Sequence, residues 1–320
     1  MATISKMWSD KDEVAAWPSP ATPKQSVPPT RDTVGSPPPS QSWQSVITKN
    51  DTAHRARGQD AKAKKMIKIN LLNIVILNDY ENIKQFFYRK EFMYRSHIFA
   101  GYRDSYKDAY LVGNINTFLM GATFSTNMTM TWHMINFAKN PDTVQARVQR
   151  EIDEVVGQER RPTWEDRKRM PYTMACVWEL ERWKTPSALG VARECAEDAV
   201  VGDIFIPKGA VVLPNMWAVH NDARLWKEPT KFLPERHLSE DGKSLLHKSQ
   251  HSIPFSLGQR ACAGETFAKM EIFLLITFLL QKYRVLAENP IECDLTAPDT
   301  EIWNIINIKL RFLPRLVGNI

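Results

Sequence analysis

The chain has 320 residues, 43% hydrophobic and 24% charged, a globular composition that excludes collagen-like, coiled-coil and wholly disordered classes. Its formal charge of +6 is concentrated early: residues 1–66 hold ten Lys/Arg against six Asp/Glu, and the rest of the chain 32 against 30. The body is nearly neutral, and a basic arm without interleaved aromatics reads as solvated, so no nucleic-acid partner is expected.

Eight of the twenty prolines lie between Pro18 and Pro39 among Ser, Thr and Gln, without helical or strand periodicity. Such a segment buries too little to offset its ordering entropy, and residues 1–66 are expected to form a disordered Pro/Ser-rich arm. The polar, acidic run from Trp8 to Val14 does not resemble a signal peptide. Order is expected from about Met66, with a strand or strand pair over 67–77 and a short helix over 79–87. Residues 111–139 form a long apolar helix interrupted by the small residues Gly121, Ala122, Thr123 and Ser125. Asn140-Pro141 supplies a cap and first-turn proline for an amphipathic helix carrying Val144, Val148, Ile152 and Val156 and ended by Gly157. A capping arrangement at Thr163 to Asp166 opens a short helix, and Pro171 another to about Lys184. Residues 199–213 read as two small hairpins, 221–262 as irregular, and 264–283 as a final helix, apolar on most faces and expected to be buried. The fold class is therefore mainly α with small β-sheet elements.

Cys176, Cys195, Cys262 and Cys293 are widely spaced with no Cys-x-x-Cys pair, which suggests neither a disulfide framework nor a zinc ribbon. No apolar run reaches the roughly 20 residues of a bilayer-spanning helix, so no membrane anchor is expected. Neither His-Glu-x-x-His nor Gly-x-x-x-x-Gly-Lys occurs. The informative stretch is 254–264, where Cys262 ends a glycine-containing loop just before the final helix. Unpaired amides and the dipole at a helix start favour a thiolate. Gly258 and Gly264 permit close backbone approach, Phe255 offers an aromatic lid, and Arg260 places a cation two residues from the sulfur.

The string Phe255-x-x-Gly258-x-Arg260-x-Cys262-x-Gly264 resembles the haem-ligand motif of the cytochrome P450 family. Glu179-x-x-Arg182, which alone would read as a surface ion pair, is similar to that family's buried Glu/Arg helix, and 232–236 (Phe-Leu-Pro-Glu-Arg) to the segment whose arginine, here Arg236, joins the pair. The resemblance implies a partial cytochrome P450 fold: long central helix, Glu-x-x-Arg helix, cysteine loop and final helix. It implies haem, iron protoporphyrin IX, with Cys262 as axial thiolate and metal ligand, and Arg260 and Arg193 meeting the propionates. Asn215, Trp217, Asp222, Trp226 and Pro229 fit the microsomal type and are expected to be structural. On the long helix the family places an acid and a threonine; here Phe124 and Ser125 align with them, so the acid is missing, and Ser125 with Thr126 is left as the hydroxyl pair for oxygen activation.

The resemblance covers 111–320, a haem-binding C-terminal half, and an early β/helix piece within 67–98, with a seam at 99–110 where the family has several helices. Two readings follow. In one, the chain belongs to a haem-thiolate monooxygenase that inserts one atom of O2 into a small lipophilic substrate, with electrons from an NADPH-dependent reductase. In the other it is a truncated, non-catalytic derivative with weak or no haem binding. Ancestry favours the first; for turnover by this chain the missing helices and Phe124 favour the second. The family implies the endoplasmic reticulum membrane, and the expected lack of an anchor a cytoplasmic or peripheral location.

Overall fold

The computed structural model describes residues 64–69, 72–95, 110–202, 204–292, 294–296, 305 and 307–315. The expected disordered arm up to residue 63, the expected seam up to residue 109, and Cys293 lie outside the described residues.

The β-branched run folds as a strand pair: β1 (Lys64–Ile69) is antiparallel to β2 (Leu72–Leu77). Asp79 then caps α1 (Tyr80–Phe87), its side chain accepting from the Asn82 N–H at 2.9 Å, and Ile83, Phe86 and Phe87 turn inward. A short strand β3 (Tyr94–Arg95) follows, and after the undescribed stretch helix α2 (Tyr110–Lys139), whose one Lys, Arg, Asp or Glu is the terminal Lys139. Pro141 begins the next helical segment as expected, but it winds as a π turn (Pro141–Gln145) before α3 (Ala146–Val155). Asn140 does not cap it. Its side-chain amide turns back to donate to Asn136 O at 2.9 Å, a carbonyl that also accepts the Asn140 backbone N–H at 3.0 Å. Gly157, at φ 72°, ends the helix. The capping box at Thr163 and Asp166 is present, and α4 (Pro171–Trp183) follows.

The hairpin expectation needs one correction. After β4 (Arg193–Glu194), only β5 (Ala199–Val201) and β6 (Ile204–Ile206) form a hairpin. Strand β7 (Val211–Pro214) instead lies parallel to β2 and antiparallel to β4, in a five-stranded sheet of order β1-β2-β7-β4-β3. Val211 and Val212 are both buried, so the strand has two faces to cover and takes a central position. After α5 (Met216–His220) and the irregular stretch comes α6 (Glu265–Lys282), then the β8 (Tyr283–Ala287) and β9 (Leu310–Pro314) hairpin.

The main core joins α2, α3, α4 and α6 through Phe137, Val148, Ile152, Cys176, Phe273 and Ile276. A second core lies between the large sheet and α1. Buried glutamines fasten the first: Gln145 donates to Phe137 O and Val285 O and accepts from the Val285 N–H, closing polar groups that would otherwise be stranded. Helix α6 departs from the expectation of burial all round. Ile272, Phe273, Ile276 and Leu280 are buried, whereas Phe267, Leu275 and Phe278 are exposed, because described elements cover one side of it only. No helix among the described residues is long and apolar enough to cross a membrane.

Candidate functional site

The cysteine loop is tied down from both ends. The Cys262 N–H donates to Phe255 O at 2.9 Å, closing the loop on itself, and the Ala261 N–H reaches Gly258 O at 3.0 Å. Ser256 and Gly258 hold left-handed backbone, at φ 67° and 73°. Gly258 is there for a reason of space as well, since a Cβ on it would stand 2.1 Å from Phe87 O: the loop rests directly on the end of α1. Arg193 locks that seat. The residue is 1% exposed, and its guanidinium stacks 3.6 Å from the Phe87 ring centroid and donates to Phe87 O at 3.2 Å and Leu257 O at 2.9 Å. Arg260 remains at the surface and donates to Met93 O at 2.9 Å. Strand β4, the end of α1 and the chain before β3 thus converge on one loop, and its product is an outward-facing thiol, for Cys262 is exposed while Cys176 and Cys195 are buried. Gly264, at the start of α6, is less constrained: a Cβ there would sit 3.8 Å from the Cys262 sulfur, an ordinary contact.

That donor set suits a prosthetic group needing one protein ligand. No group of three His, Cys, Asp or Glu side chains among the described residues is arranged to hold a metal ion by itself. A single exposed thiol on a loop fixed by backbone contacts is compatible with axial ligation of a porphyrin. The first half of α2 adds exposed apolar surface, with Phe118, Leu119, Met120 and Phe124 between 60 and 75% exposed. Further along, the Ser125 hydroxyl donates back to Gly121 O at 2.6 Å, the local bond that a helical serine tends to make, and Thr126 is turned inward.

The Glu/Arg pair is fully buried. Arg182 Nε and Nη2 bind the Glu179 carboxylate side-on at 3.0 and 2.7 Å, Arg236 Nε reaches it at 3.0 Å, and the Leu233 N–H at 3.0 Å. The remaining nitrogen of Arg182 donates to His220 O and Pro229 O, so one guanidinium pins the irregular segment to α4. Burial alone would raise the Glu179 carboxyl, but hydrogen bonds from His237 and Arg182 and the charges of Arg182 and Arg236 outweigh it and bring it down to about 2.

Sequence reasoning missed two members of this network. His237 Nε2 lies 3.0 Å from Glu179; it directly follows Arg236, and nothing in its type or spacing marks it. His220 is buried and pushed down to about 3, chiefly by burial. Its Nε2 accepts from the Ile253 N–H, so the ring proton is on Nδ1 and is given to Thr185 Oγ1, which ties α5 to the approach of the cysteine loop.

A cytochrome P450 family model matches residues 41–305, beginning inside the stretch that the sequence alone reads as a tail. Cytochrome P450 2U1 of Bos taurus is 33% identical over 220 residues, covering 69% of this chain and 39% of that protein. Cytochrome P450 2D4 of Rattus norvegicus is 40% identical over 179 residues, and cytochrome P450 2D15 of Canis lupus familiaris 42% identical over 159, covering 56% and 50% of this chain and 35% and 31% of theirs. The chain spans about a third of the length of the curated relatives it matches. With the cysteine loop, the buried Glu179–Arg182–Arg236 network and this match in agreement, the chain belongs to the cytochrome P450 family.

Proposed function

We propose that this chain binds iron protoporphyrin IX through Cys262 and is part of a haem-thiolate monooxygenase acting on small lipophilic substrates, with electrons from NADPH through a reductase. The observation that carries the reading is the exposed Cys262 thiol at the end of a loop seated on Phe87 O and held by Arg193. Bound haem supplies one-electron and dioxygen chemistry that no side chain of the chain provides. Cys262 is the axial ligand and Arg260 the surface cation for a propionate. Arg193, the other arginine that the resemblance assigns to a propionate, also positions the loop through Phe87 O and Leu257 O, while Phe255 and Gly258 set the loop's path. Phe124 cannot hold or pass a proton, and the Ser125 hydroxyl is spent on Gly121 O. Of the two hydroxyls, Thr126 is the one not turned back in this way.

A second reading, a non-catalytic derivative whose haem binding is weak or lost, is favoured by the exposure of Phe118, Leu119, Met120 and Phe124. Were haem to lie against that surface, solvent access would alter its redox poise and favour unproductive loss of reduced oxygen species. Haemin titration of the purified full chain, followed by steady-state turnover with a reductase and NADPH, tests both. One haem per chain in wild type and weakened uptake in Cys262→Ala support the cofactor site; equal uptake by the two would overturn it. Product formation coupled to NADPH decides for the first reading, and NADPH consumed without product for the second.

A further inference from the structure

Helix α4 carries a second buried carboxyl two residues after Glu179. The Glu181 side chain is 3% exposed, its Oε2 stands 3.3 Å from Lys248 Nζ, and its Oε1 has no hydrogen-bond partner among the described residues. A carboxylate is costly to bury unless it is paired, and Lys248 is the cation it meets. Lys248 in turn reaches the cysteine loop: its ammonium lies 5.8 Å from the centroid of the Phe255 ring. From α6, Lys269, which pairs with Glu265, brings a second ammonium to 5.3 Å from the same centroid. Cations at such distances attract an aromatic ring through the quadrupole of its face. The backbone completes the connection, since Phe255 O accepts the Cys262 N–H at 2.9 Å.

The two members of the buried pair depend on each other. Burial pushes the Glu181 carboxyl up and the Lys248 ammonium down, and in each the partner's charge works against that effect. Of the charges around Lys248, Glu181 gives the largest support, ahead of Glu265, while Lys269 opposes it. Without the Glu181 charge, Lys248 gives up its proton more readily, and a neutral amine is not drawn to the ring.

We infer that Glu181 is a positioning residue for the cysteine loop: by pairing with Lys248 it holds that ammonium against the Phe255 ring, and through Phe255 O it steadies the backbone of Cys262. Helix α4 thus fastens the chain around the site twice, Glu179 through Arg236 and Glu181 through the loop that bears the thiol. The bearing on haem rests on the reading of Cys262 as axial ligand; the placement of the loop does not.

Hydrogen exchange in the haem-free full chain, resolved at the Cys262 amide, tests the placement. Glu181→Gln keeps the shape and an acceptor for Lys248 and removes the charge, so the Cys262 amide is expected to exchange at least about threefold faster while the amides of α3 keep their rates. In a Phe255→Leu background the same substitution should add nothing, because the ring through which it acts is gone. Should Glu181→Gln not fold, the double variant Glu181→Leu/Lys248→Leu decides: it removes both charges without leaving either buried alone, and should speed the Cys262 amide with α3 unchanged. An unchanged Cys262 amide, an acceleration shared equally by α3, or the same acceleration in the Phe255→Leu background would overturn the inference. The ferrous carbonyl spectrum of the haem-loaded chain reads separately: a wild type without the thiolate band would remove Cys262 as ligand and leave the exchange result standing.

Discussion

Glu179→Gln removes one charge from a buried carboxylate that meets four other residues. The carboxylate accepts from Arg182 twice, from Arg236, from the Leu233 N–H, and faces His237. Glutamine keeps the shape and one acceptor oxygen, but turns its NH2 toward donors and leaves the fully buried Arg182 guanidinium uncompensated. Breaking a buried pair from one side costs about 3–5 kcal/mol. Titration leads to a similar figure: a carboxyl lowered from 4.5 to about 2 contributes about 3 kcal/mol. Because the folded value is depressed, that contribution is fully present above pH 4.5 and is lost as pH falls through about 2. Urea unfolding of wild type and Glu179→Gln at neutral pH should show a loss of about 3 kcal/mol, with the gap narrowing below pH 4.5. A loss under about 1 kcal/mol, or a gap indifferent to pH, would refute the view that this charge organises the core.

Three other substitutions probe separate features. His133 is fully buried in α2 with neither ring nitrogen bonded among the described residues, and burial pushes it down to about 3 from 6.5. His133→Leu should stabilise the chain by about 1–3 kcal/mol at neutral pH and, in acid unfolding, abolish this residue's share of the loss of stability that wild type suffers as pH falls from 6.5 toward 3. Gly258→Ala sets a methyl against Phe87 O in a left-handed backbone, and should cost on the order of 3 kcal/mol in thermal unfolding and reduce haem uptake in parallel. Asp166→Ala removes the capping box with Thr163 and the paired bonds from Arg160, for an expected loss of about 2 kcal/mol by denaturant melt; a loss below about 0.5 kcal/mol would show that the box is idle.

The helices were legible because their boundaries rest on local chemistry. Asp79, the Thr163–Asp166 box, Pro171 and Gly157 act within a few residues of themselves, and the structure uses each as the sequence suggests. What depended on distant partners was not legible. Strand β7 looks like one arm of a hairpin until β2, over a hundred residues earlier, claims it. Asn140 is the local exception: it has the type and position of a cap, yet its amide is taken by Asn136, four residues back. The same division runs through the site. The cysteine loop and the Glu/Arg pair are recognisable as strings, whereas the seat of Gly258 on Phe87 and the part played by His237 exist only once separate elements meet.

The ligand to iron is the central claim, and the ferrous carbonyl spectrum of the haem-loaded full chain tests it most directly. Wild type is expected to give the strongly red-shifted Soret band of thiolate ligation, and Cys262→Ala to lose it. A carbonyl band of the imidazole type, identical in wild type and Cys262→Ala, would contradict the assignment of Cys262.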